Sequence, residues 1–155
     1  MCGLAGVISK NSFKEKKFKN IVKSMTKELH HRGPDSEGIY SNNKFCVGFR
    51  RLSILDVSSN ADQPFADKEN NYILVFNGEI YNHSSLRTKL MSLGHTFRTG
   101  SDVEVIVHLY EEYGENFVEH LQGMFTLFLS TPDGFFIARD RLGIKPLYEM
   151  QVGEN

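Results

Sequence analysis

Met124-Phe125-Thr126-Leu127-Phe128-Leu129-Ser130 and Phe135-Phe136-Ile137-Ala138-Arg139 flank Thr131-Pro132-Asp133-Gly134. Two apolar, β-prone runs around a Pro-Asp-Gly turn read as an antiparallel hairpin. The same pattern recurs upstream. Glu37–Tyr40 and Phe45–Phe49 read as strands across the polar turn Ser41-Asn42-Asn43-Lys44, and Arg51–Val57 follows as a further strand. Cys2–Ile8 is a short Gly-spaced apolar run, and Tyr72–Phe76 is a continuous one closed by Asn77-Gly78.

Helical periodicity fills the gaps. Phe18, Ile21, Val22, Met25 and Leu29 share one face, and that helix ends before Gly33-Pro34. Asn82 is placed to cap a helix bearing Leu86, Leu90 and Leu93, with Gly94 as its stop. Ser101 and Glu104 have capping-box spacing and open a helix that ends at Gly114. Phe117–Leu121 reads as a short further helix. Strands joined by hairpins, with helices segregated from them, predict an α+β fold of antiparallel sheets.

The chain has 155 residues, 40% of them apolar and 24% charged, with a formal net charge of -1. That suits one domain with a real core and offers no basic stripe for nucleic acid. The two cysteines, Cys2 and Cys46, make neither a disulfide framework nor a zinc motif. No run reaches membrane-spanning length, and Leu4–Ile8 is too short for a signal peptide. The expectation is a cytoplasmic protein without nucleic-acid or membrane partners. No Walker A loop, GxGxxG or metal triad is present, so no metal is expected.

Three features carry chemistry. Cys2 becomes N-terminal if Met1 is removed, and such a residue offers a thiol and an α-amine of pKa near ~8 together. It reads equally as a small buried residue at a strand start. Asn77-Gly78 reads as a hairpin turn or as the donors of an oxyanion hole. Arg51 and Asp102 read as surface charges or as the ion partners of a free amino acid. The six histidines lie in no protease signature; adjacent His30 and His31 diverge, and all six are taken as structural or surface residues.

Seven motifs in order then carry a resemblance. They are Met1-Cys2-Gly3, His31–Asp35, Arg51–Ile54, Phe76–Asn82, Gly100–Asp102, Gln122–Phe125 and Ala138–Tyr148. Together they resemble the glutaminase domain of the glutamine-hydrolysing asparagine synthetases, class II amidotransferases among the N-terminal nucleophile hydrolases. The resemblance covers Cys2 to Tyr148 and implies a four-layer αββα sandwich. It implies Cys2 as nucleophile, its α-amine as base, and Asn77 and Gly78 as oxyanion donors. Arg51, with the backbone of Leu52, Ser53, Ile54 and Leu55, would bind the glutamine carboxylate. Glu79 and Asp102 would sit near its amino group. The product ammonia would serve ATP-dependent asparagine synthesis, with ATP and magnesium needed only on a synthetase domain and no cofactor here.

On this reading residues 2–148 form the glutaminase domain, residues 149–155 are a truncated tail, and no synthetase domain is present. The sandwich is then incomplete at its C-terminus. The expected partners are L-glutamine, a synthetase domain or subunit, and a second copy in a homodimer. Another carboxylate acceptor, such as a surface sugar, and an inactive fragment that acts by binding are the competing readings. One departure stands out: relatives often carry His where this chain has Phe49.

Overall fold

The computed structural model describes residues 2–9, 15–54, 58–67 and 69–152. One antiparallel sheet consists of β1 (Gly3–Ile8), β2 (Ser36–Ser41) and β3 (Phe45–Arg51), in the order β1-β3-β2. The other consists of β4 (Phe65–Ala66), β5 (Ile73–Ile80), β6 (Gly123–Thr131) and β7 (Gly134–Arg139), in sequential order. Helix α1 (Glu15–Glu28) lies on the first sheet. Helices α2 (His83–Ser92) and α3 (Val103–Tyr113) pack together beside the second, and a 3-10 segment, Gly114–His120, follows.

Strand alternation explains the layering. On β3, Phe45, Val47 and Phe49 face Ile73 and Val75 of β5 and Phe128 of β6, which forms the core between the sheets. On β5, Leu74, Phe76 and Ile80 face the other way, into a larger core with Ile106, Leu109 and Phe117. The order α1, sheet, sheet, α2–α3 is the expected four-layer α+β sandwich. Phe49 is fully buried in the inter-sheet core, so it acts there as a packing residue.

The hairpin that opened the reading is present. Thr131 pairs with Gly134 and Thr126 with Arg139. Three other expectations need correction. Arg51 is the last residue of β3, and Leu52–Ile54 form no strand. Their amides are taken elsewhere: Leu52 N–H goes to Cys2 Sγ and Ser53 N–H to Asp35 Oδ2. Residues 55–57, the rest of that expected strand, lie outside the described residues.

The buried stripe of α1 is Val22 and Thr26, whereas Ile21 and Met25 are exposed. Gly48 decides this, because a Cβ there would come 2.4 Å from Thr26 Cγ2 and 2.9 Å from Val22 Cγ1. The bare glycine lets the helix settle onto the sheet. The capping arrangements differ too. The Asn82 carboxamide joins His120 O and Gln122 N–H across the fold. Ser101 Oγ accepts Val103 N–H, and Glu104 reaches back to the amides of Arg98 and Thr99.

Candidate active site

Cys2 lies one step beyond the Gly3–Arg50 pair of the β1–β3 ladder. Its Sγ receives the Leu52 N–H at 3.3 Å and lies 3.6 Å from Leu52 O. Its carbonyl accepts Arg32 Nε at 3.1 Å. Gly33 passes so close to the backbone of Arg50 that any Cβ would clash at 2.4 Å. Asp35 then takes both an amide and a carbonyl on the far side, through Ser53 N–H and Arg51 O. The His31–Asp35 motif is thus the clamp that bends the chain after β3 around the thiol.

Arg51 is buried, and its Nη1 donates to Ser58 O at 2.9 Å and to Asp62 Oδ1 at 2.8 Å. It enters the site from the first sheet; the second sheet supplies the opposite wall. Here Asn77 and Gly78 lie inside β5, paired with Thr126 and Phe125 of β6, so they are not a turn. Gly78 is dictated by this close pairing, since a Cβ would come 2.2 Å from Met124 O.

The outer edge of β5 is the informative one. β4 pairs only with Ile73 and Leu74. Beyond it the Gln63 carboxamide takes over, accepting Phe76 N–H at 2.6 Å and donating to Phe76 O at 3.1 Å. Two residues past Gly78, Asp102 Oδ2 accepts Ile80 N–H at 3.0 Å. In an antiparallel ladder alternate residues point their amides to the same edge. Gly78 N–H therefore faces outward between Gln63 and Asp102, with no acceptor among the described residues. Asn77, also buried, has no side-chain hydrogen bond among them.

These groups line one cavity of about 120 Å³, which gathers Cys2, Arg51, Leu52, Ile54, Asn77, Gly78, Glu79 and Asp102. Of the residues expected from sequence, Ser53 is not in the wall, and Leu55 lies outside the described residues. The cavity also holds Gln63, Met124 and the buried Lys145, whose roles the sequence reading did not assign. Lys145 follows β7 in a loop bracketed by Asp140, whose carboxylate accepts the amides of Phe125, Ile144 and Lys145. Arg32, Asp35, Asp140 and Lys145 all lie in the quoted motifs, but Gln63 lies in none.

Electrostatics divide the cavity. Burial pushes the Cys2 thiol up, against the Leu52 amide and Arg51, so thiolate is scarce at neutral pH. Burial also raises the Asp102 carboxyl. Burial and then the neighbouring Asp102 raise Glu79. Two crowded carboxylates at one end and Arg51 at the other suit a zwitterion. No histidine is among the described residues of the cavity wall.

The cavity, the fold and the motif order define a class. The chain belongs to the glutamine amidotransferase domain family, which matches residues 1–155. Among its relatives, the asparagine synthetase (glutamine-hydrolyzing) of Zea mays is 45% identical over 150 residues, 96% of this chain and 25% of the relative. Asparagine synthetase (glutamine-hydrolyzing) 2 of Bacillus subtilis (strain 168) is 43% identical over 155 residues, 98% of this chain and 20% of the relative. The chain thus spans a quarter or less of the length of these relatives. A solved structure, the glutamine phosphoribosylpyrophosphate amidotransferase of B. subtilis complexed with ADP and GMP, shares the fold. Its TM-score is 0.73 at 21% identity, over 88% of this chain and 37% of that chain. Among the described residues no helix is long and apolar enough to cross a membrane.

Proposed function

We propose that the chain hydrolyses L-glutamine to glutamate and ammonia, with Cys2 as nucleophile after removal of Met1. The observation that carries this reading is the outward Gly78 N–H beside the Asn77 carboxamide, in one cavity with Cys2. Two preorganised donors beside a thiol are what a tetrahedral intermediate of acyl transfer needs.

A thiol with a raised pKa needs a base, and the cavity wall offers no described histidine. The α-amine of Cys2 fills that role. It takes the Sγ proton as sulfur bonds to the amide carbon, and the oxyanion rests on Gly78 N–H and Asn77. The amine then returns the proton to the leaving nitrogen, and ammonia departs. Water, deprotonated by the same amine, attacks the glutamyl thioester, and glutamate and the thiol are restored. Splitting one amide cleavage into two acyl transfers lowers each barrier.

Arg51 meets the substrate carboxylate, with the chain at Leu52–Ile54 beside it. Glu79 and Asp102 meet the ammonium. This chemistry draws on no cofactor. In this reading the ammonia goes to an ATP- and magnesium-dependent synthetase domain that makes asparagine from aspartate; the names of the relatives, glutamine-hydrolyzing asparagine synthetases, support the product. Cys2→Ala is the direct test: glutamate release from glutamine should vanish, and persistent turnover would overturn the assignment. Intact mass should show Met1 absent from the active protein.

A further inference from the structure

A second constellation lies on the other side of α3. His95 is in the loop after α2, while His108 and Glu111 are one turn apart on α3. His95 Nδ1 is 3.1 Å from His108 Nδ1. Glu111 Oε2 is 2.6 Å from His108 Nδ1 and 3.3 Å from His95 Nδ1. A carboxylate stands behind each ring: Glu112 Oε1 is 2.6 Å from His95 Nε2, and Glu104 Oε1 is 3.8 Å from His108 Nε2.

A neutral imidazole carries one N–H, and its position follows the acceptor nearby. Glu112 holds the His95 proton at Nε2. His108 has the Glu111 oxygen 2.6 Å from Nδ1 and a Glu104 oxygen 3.8 Å from Nε2, which is buried without a hydrogen-bond partner. The two Nδ1 atoms and one Glu111 oxygen converge on a single point of the surface, within 3.3 Å of one another. One proton can bridge only part of such a triangle; a cation satisfies all of it.

We propose that His95, His108 and Glu111 bind a divalent transition-metal ion, zinc by ligand class. Zinc bonds of about 2.0–2.1 Å in a tetrahedron put ligand atoms roughly 3.3 Å apart. Two of the three separations already lie there, and the exposed Glu111 carboxylate needs to move by less than about 1 Å for the third. Glu112 supplies to His95 the orienting carboxylate that metal-bound histidines usually have, and Glu104 stands 3.8 Å behind His108. His108 and Glu111 also border a cavity of about 420 Å³ together with Phe65, Tyr72 and Arg98. The ion would pin the α2–α3 loop to the helix whose leading end carries Asp102.

Zinc is the probe. The metal-free 155-residue chain should bind one equivalent with micromolar or tighter affinity, and its thermal midpoint should rise with added zinc. His95→Gln and Glu111→Gln should each weaken binding at least tenfold while melting normally without metal. Cobalt in place of zinc should give a visible spectrum without a thiolate charge-transfer band, which separates this site from Cys2 and Cys46. No saturable binding to the unmodified chain would overturn the proposal. So would undiminished binding in both variants, or a thiolate band.

Discussion

Single residues decide the chemistry of the cavity. Asn77→Ala removes one of two oxyanion donors while keeping the backbone, so kcat should fall by about 10²–10³ with KM little changed, read by steady-state glutamate release. Asp102 and Glu79 give the pH dependence. Both carboxyls are raised, so they take up protons at a higher pH than ordinary carboxylates. Only the ionised form attracts an ammonium. The KM for glutamine should therefore climb as pH falls through mild acid, and Asp102→Asn should raise KM and flatten that climb. A KM profile unchanged in the variant would remove Asp102 from the substrate site. The sequence showed these residue types but not the burial that shifts them. For Cys2 it left two readings open, and only its neighbours favoured one.

At the level of strands and turns, the hairpins were legible because alternation and turn chemistry are local. The mistakes have tertiary causes. Asn77-Gly78 has the composition of a turn, yet it continues β5 because β6 runs beside it and leaves no room for a Cβ at Gly78. Arg51–Val57 has strand composition, but Cys2 and Asp35 claim the amides of Leu52 and Ser53. Gln63 gave no signal, since nothing local says that its carboxamide will stand in for a strand. Its removal has a stated cost. Gln63→Ala orphans the N–H and C=O of Phe76, and a buried unsatisfied group costs about 1–3 kcal/mol. Urea unfolding should show a loss of that order or up to twice it, together with impaired glutaminase activity. A variant as stable and active as the parent would mean that β5 needs no such support.

For the whole molecule, among the described residues the two sheets meet over a small core of six buried side chains, where Phe49 pairs with Leu4 of β1. Phe49→Ala should cost about 3–5 kcal/mol, the range for a large aromatic deleted from a packed interior. The sandwich is less well covered elsewhere. Phe135 and Ile137 of β7 are about half exposed, and Leu142, Tyr148, Met150 and Val152 beyond it are largely so. Apolar surface of this kind beside an edge strand invites association. The 155-residue chain should bind a hydrophobic dye and sediment faster as concentration rises. Changing Phe135 and Ile137 to Thr should suppress both effects.

The outer edge of β5 has a further consequence. Its bonding positions at Phe76 and Ile80 are filled, and the one between them, at Gly78, has no acceptor among the described residues. An amide without an acceptor is visible to solvent deuterium. The Gly78 amide should exchange far faster than its neighbours in mid-strand, and a glutamine-derived aldehyde captured by Cys2 should slow it by filling the gap with its oxygen. A spectroscopist could then watch the oxyanion position fill and empty without following turnover at all.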